Sequence, residues 1–160
     1  MMPPEQALLL PAGDELDRWM AHRFHQACGS ATVRACWRVW TVCQTPLVTC
    51  WSILEVVGGK KVFRPLPKPA ACSSNAEHAR DLARAFDANL RKRSGGRLHC
   101  TLQPATCLPD APVWQAAVEI VTESGTVRTR FDGRGESEAL AICRALLPAL
   151  EASPLIDKSC

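Results

Sequence analysis

The chain is 160 residues long, 47% hydrophobic and 22% charged, with a formal net charge of +3. A chain of that length and balance buries a sizeable core, which excludes wholesale disorder. The mild positive charge permits local anion binding and excludes the whole-surface attraction of a dedicated nucleic-acid coat.

Residues 1–12 are bracketed by prolines and read as an extended arm, with Leu8, Leu9 and Leu10 touching the body. They have no basic n-region and only a short apolar run, so they do not make a secretory signal. No segment approaches the roughly 20 apolar residues of a membrane span. A first helix begins near Gly13 or Asp14, where Asp14, Glu15 and Asp17 complement the helix dipole. Leu16, Met20, Phe24 and Ala27 define its buried face, Trp19 lies on the flank, and Gly29 and Ser30 end it. The following Val-, Trp- and Thr-rich stretch reads as strands, about Val33 to Cys43 and about Val48 to Val57, with a Gly58-Gly59 hairpin into Lys60 to Arg64. Trp37, Trp40 and Trp51 supply much of the packing area there.

Pro65, Pro67 and Pro69 make an extended connector. The second helix starts with a capping box, Ser74-Asn75-Ala76-Glu77, carries an apolar stripe of Ala79, Leu82, Ala83, Phe86 and Leu90, and stops at Ser94-Gly95-Gly96. A strand from Arg97 to Gln103, a proline-containing loop from Pro104 to Pro112, and a strand from Val113 to Val121 follow. On that last strand Trp114, Ala116, Val118 and Ile120 share a face, while Gln115 and Glu119 point the other way, toward Arg128 and Arg130 across the hairpin. Alternation through Val127, Thr129 and Phe131 gives one more strand, and Asp132 to Gly135 reads as a glycine-rich turn. A helix from Glu136 puts Ala139, Ile142, Cys143, Leu146, Leu147 and Leu150 on one face, with a kink expected at Pro148. Residues 153–160 read as a loose tail. The order predicts an α+β fold, a helix–sheet–helix sandwich with a mostly antiparallel sheet and three main helices. Residues 13–152 make the single domain, and 32–64 are inserted Trp/Cys-rich strands.

Three segments together resemble the phage ABA sandwich domain family. They are LLLPAGDELDRWMAHRF, the capped KPAACSSNAEHARDLARAFDANL, and GESEALAICRALLPALE, whose Leu-Ala-Ile-Cys-Arg-Ala run is the most specific feature. The resemblance covers roughly Pro11 to Phe24, Pro69 to Leu90 and Trp114 to Glu151, and the strands between Thr32 and Phe63 depart from it. It implies a phage or prophage origin, the cytoplasm of a bacterial host, and the sandwich fold. It transfers no catalytic set.

Nine cysteines without a Cys-x-x-Cys read as reduced thiols acting as small hydrophobes, with no zinc site. His22, His25 and Cys28 run at three-residue intervals and are the candidate metal ligands. They spread over about 120° of a helix with no fourth ligand, so a solvated face is the expectation. His99 and Cys100 are adjacent on a strand and point apart, and no assembled catalytic motif is present, so no catalytic residue and no cofactor is assigned.

Two basic features remain. Gly133, Arg134 and Gly135 lie in the turn ahead of a helix N-terminus, where free amides attract anions, against the plainer reading of a strand-to-helix turn capped by Glu136. Arg91, Arg93 and Arg97, with Lys92, cluster at the end of the second helix, where cations also complement the dipole. The functional expectation is therefore a phage accessory protein that binds rather than catalyses, in host takeover or counter-defence, with a host protein or a small anionic signal such as a nucleotide as its partner. The alternative is a nucleic-acid-binding accessory protein using the basic end of the second helix. A homo-oligomer is a further option, favoured by exposed Trp or Val on an edge strand.

Overall fold

The structure, a computed structural model, describes residues 3–28, 33–35, 38–44, 49–66, 71–110 and 112–158. The class is α+β, with three main helices and antiparallel sheets. The N-terminal segment is not an extended arm. It holds a one-turn helix α1 (Pro4–Ala7) whose Ala7 is buried, with Leu8 and Leu10 packed on the core and Leu9 80% exposed. Helix α2 (Asp14–Cys28) begins where the acidic first turn predicts and buries Leu16, Met20 and Phe24. Gly29 and Ser30, expected to end it, lie outside the described residues.

The inserted strands form a sheet of their own. Strands β1 (Val33–Ala35), β2 (Arg38–Gln44), β3 (Thr49–Val57) and β4 (Lys60–Leu66) pair antiparallel in that order. The single strand expected over Val33 to Cys43 is two paired strands, with Val33 opposite Trp40. Pro65 belongs to β4 rather than to the connector, opposite Ser52. Pro67 and Pro69, Trp37, and the side chains of Trp40 and Trp51 lie outside the described residues.

Helix α3 (Ala76–Arg93) is capped one residue later than the capping box predicts. Asn75, not Ser74, is the N-cap, and its side chain accepts from the amides of Glu77 (3.0 Å) and His78 (3.2 Å). The C-terminus closes as predicted. Gly96 donates its amide to the Arg91 carbonyl and Gly95 to that of Lys92, the paired bonds of a Schellman ending, with φ of +63° at Gly95.

The second sheet has the order β5 (Leu98–Leu108), β6 (Val113–Thr122), β7 (Val127–Gly135). Strand β5 takes up the expected proline loop as far as Leu108. Pro104 and Ala105 fall in a register shift between Gln103 and Thr106 on this edge strand, where the missing amide donor costs little. Its inner face continues through Leu98, Cys100, Trp114, Ala116, Val118, Ile120 and Phe131. Helices α3 and α4 (Glu138–Lys158) cover that face, and α2 packs on both. The opposite face carries a polar ladder, with Gln103 and Arg130 both bonded to Glu119, and Arg130 also to Asp132. That pairing of Glu119 with Arg130 is the one expected from the alternation.

The segment Asp132 to Gly135 is strand, not turn. Gly133 pairs with Ala116 and Gly135 with Trp114, and both glycines are buried beneath α4. A Cβ on Gly133 would overlap the Ala141 carbonyl oxygen and the Ala145 amide nitrogen and stand 2.8 Å from the Arg144 carbonyl carbon. Helix α4 therefore starts at Glu138, two residues later than predicted, with the Ser137 hydroxyl accepting from the Leu140 amide at 3.2 Å. It passes through Pro148 and takes up the expected tail as far as Lys158. Arg144 reaches out of α4 to donate to the carbonyls of Arg134 (2.9 Å) and Leu10 (3.1 Å).

Candidate anion-binding site

The predicted basic residues are regrouped by the fold. Arg91 turns back on its own helix and pairs with Asp87 at 2.8 Å, while the other Asp87 oxygen accepts from the Cys100 amide at 2.7 Å. That carboxylate pins α3 to β5, and Arg91 serves it. Arg93 and Lys92 are exposed. Arg97 faces elsewhere, across the turn that joins α3 to β5. Its Nε donates to the Ser94 carbonyl at 2.9 Å, and its own carbonyl accepts from the Glu123 amide at 3.0 Å.

That second bond brings the β6–β7 turn against Arg97 and creates a shallow cavity of about 490 Å³. It is lined by Arg97, Leu98, Thr122, Glu123, Ser124 and Arg128. The turn is tight because Gly125 supplies φ of +87° and donates to the Thr122 carbonyl at 2.9 Å. Hydroxyls of Thr122 and Ser124 lie 3.0 Å apart, and Ser124 also meets Thr126 at 3.4 Å. Arg128 arrives through a register shift. Ile120 opposes Thr129 while Val121 opposes Val127, so Arg128 is the extra residue of a β-bulge. Bulges re-aim a side chain out of the alternation, and here the residue joins Arg97 at the mouth of the cavity.

The chemistry on offer is two guanidinium groups, hydroxyl donors and one carboxylate, Glu123. Guanidinium forks match planar or tetrahedral oxyanions in paired hydrogen bonds. Arg97 was legible as a cation at a helix end. Arg128 was not, because its place beside Arg97 depends on how β5, β6 and β7 pair and on the bulge that sets their register.

The site expected at Gly133, Arg134 and Gly135 does not form as a turn with free amides, since those residues are ladder positions under α4. The Arg134 side chain is exposed, and its carbonyl is taken by Arg144. His22 lines a different shallow cavity with Leu10, Asp14, Glu15, Arg18 and Trp19, its ring 6.3 Å from that of Trp19. The side chains of His25 and Cys28 lie outside the described residues. Among the described residues no group of three or more His, Cys, Asp or Glu side chains is placed to hold a metal ion. His99 and Cys100 point to opposite sides of β5 as expected, with Cys100 buried. Among the described residues no helix is long and apolar enough to cross a membrane.

No family model matches the chain, and no curated protein or solved structure does either.

Proposed function

We propose that the protein works by binding rather than catalysis, and that it holds a small ligand through an anionic group between Arg97 and Arg128. The observation that carries this reading is the convergence of two arginines from separate elements on one hydroxyl-lined cavity, the second of them delivered by a bulge. A phosphate fits that donor set, since it presents several oxygens to forked N–H groups. Glu123 on the rim trims the net charge of the site, which favours a compact ligand such as a nucleotide over a long polyanion. The basic end of α3 offers less to nucleic acid than its sequence suggests, because Arg91 is committed to Asp87.

The phage accessory role belongs to the same proposal, through the resemblance of the three helical segments to the phage ABA sandwich domain. A protein that sequesters a host signal needs affinity and no chemistry, and the open cavity supplies cations and hydroxyl donors for that.

Isothermal calorimetry of the full chain against mono-, di- and cyclic nucleotides, with inorganic phosphate beside them, tests the reading. Arg97→Ala and Arg128→Ala are each expected to weaken the best ligand at least about tenfold, and Glu123→Gln to tighten it a few-fold. Wild-type protein that binds none of these anions, or arginine variants that bind as wild type does, would overturn it.

A further inference from the structure

The β6–β7 turn brings hydroxyl groups to the anion cavity, and its hydrogen bonds settle which of them has a proton to give. Thr122 donates its amide to the Thr126 carbonyl at 2.9 Å, and Gly125 donates to the Thr122 carbonyl at 2.9 Å, so the turn is held from both strands. Thr122 Oγ1 accepts from the Thr126 amide at 3.2 Å. Its own proton then has Ser124 Oγ as a partner at 3.0 Å. Ser124 Oγ accepts there, and its proton faces Thr126 Oγ1 at 3.4 Å, the longest contact of the three. An amide at the head of such a chain polarises each hydroxyl after it, which makes the last proton the best donor. Ser124 is exposed and lines the cavity.

The two arginines complete the donor set. Arg97 commits Nε to the Ser94 carbonyl at 2.9 Å, and Ser94 is itself fixed, its hydroxyl accepting from the Leu98 amide at 3.0 Å. The Arg97 guanidinium is thus anchored to a helix cap and keeps its two terminal nitrogens for a ligand. Arg128 enters from the bulge on β7. Donors therefore converge from three points, and a ligand that satisfies all of them needs an outward oxygen for each. A terminal phosphomonoester presents three non-bridging oxygens and carries close to two negative charges near neutral pH. A phosphodiester presents two such oxygens and one charge, its other oxygens being tied to carbon. Two guanidinium charges against the Glu123 carboxylate leave the lining net positive, which draws a dianion harder than a monoanion.

We propose that Ser124 is a specificity-determining donor of this cavity, and that the ligand is a nucleotide with a terminal phosphomonoester rather than a cyclic one. This rests on the anion-binding reading above and narrows it. Arg97 and Arg128 hold the phosphate by charge and do so for either kind of ester. Ser124 donates to the third non-bridging oxygen, which a cyclic diester lacks, so the hydroxyl is used by one ligand and idle with the other.

Calorimetry of the full chain against the 5′-monophosphates of the four common ribonucleosides, each beside its own 3′,5′-cyclic form, tests this with the base held constant. The monophosphate that binds best is expected to bind at least about tenfold tighter than its cyclic form. Ser124→Ala should lower monophosphate affinity about tenfold and leave the cyclic form within about twofold of wild type, so that the preference collapses. Ser124→Thr, which keeps a hydroxyl, should keep the preference. Arg97→Ala should weaken both ligands, which separates the shared contacts from the one assigned to Ser124. Cyclic forms that bind as tightly as the monophosphates would overturn the ligand class and leave the two-arginine site standing. A Ser124→Ala protein with the wild-type preference would overturn the role given to Ser124. If nucleotides of neither kind bind, the anion site falls and this assignment falls with it.

Discussion

Adding one methyl group at Gly133 should be among the most damaging small changes available to this chain. Gly133 has an ordinary strand conformation, so alanine there meets no backbone strain of its own. What it meets is α4. The new Cβ would overlap the Ala141 carbonyl oxygen and the Ala145 amide nitrogen and lie 2.8 Å from the Arg144 carbonyl carbon, where ordinary contact starts near 3.4 Å. These are backbone atoms and cannot rotate away, so the helix must retreat by about 1 Å over this part of the sheet. A gap of that size forfeits a quarter to a half of each contact it opens. Ile142 and Leu146 of α4 and Val118 of β6 are buried in the core that this helix covers. Adding overpacking strain gives a cost of roughly 3–5 kcal/mol for Gly133→Ala. Gly135→Ala is the control. Its Cβ would stand 2.8 and 2.9 Å from Leu140 Cγ and Cβ and 3.0 Å from the Ala141 amide nitrogen, tight but without the overlap met at Gly133, so a smaller cost of roughly 1–3 kcal/mol is expected. Urea titration followed by far-ultraviolet circular dichroism measures both. If Gly133→Ala unfolds within about 0.5 kcal/mol of wild type, α4 does not rest on β7 as described.

Two further outcomes are expected. Asn75→Ala removes the acceptor for the Glu77 and His78 amides and should cost about 0.5–2 kcal/mol, whereas Ser74→Ala should cost less; the reverse order in denaturant melts would restore the capping box to Ser74. Burial lifts the Glu151 carboxyl above its ordinary pKa, with Arg23 offsetting part of the effect and Glu5 adding to it. The folded form then binds the proton more tightly than the unfolded one, so this group's contribution falls as pH rises from the ordinary carboxylate value through the raised one. Glu151→Gln should accordingly gain stability over wild type near neutrality, with the gap closing toward about pH 3, and a gap independent of pH would refute the assignment.

The parts of the fold visible in the sequence are those governed by a single periodicity. Ile142, Leu146 and Leu150 repeat at helical spacing, and the face they define is the buried one. Trp114 to Ile120 alternate, and the inner face of β6 follows. The sequence misleads where one residue type serves two purposes. Glycines at 133 and 135 look like turn formers, yet Gly133 is there because a helix backbone lies where its side chain would be, and composition does not separate those two demands. Pro104 looks like a loop residue but occupies an irregular edge strand. Of the candidate site, Arg97 was legible and Arg128 was not, since a bulge depends on the pairing of two strands rather than on either alone. The bond from Cys72 to Asp17 was out of reach for the same reason. It joins a turn to a helix more than fifty residues earlier, and no local pattern marks it.

The two guanidinium bonds from Arg144, to Arg134 and to Leu10, bear on how the protein behaves among many copies of itself. A three-stranded sheet ends in two rows of unpaired backbone groups, and such rows recruit strands from other molecules. Here one border is broken by Pro104 and its register shift, and at the other Arg144 occupies the Arg134 carbonyl while anchoring the N-terminal segment beside it. Residues 3–10, tied there through Leu10, thus act as a selvedge that hinders extension of the sheet at that end. A truncation that removes them bears on solubility as well as on the core, where Ala7 is buried.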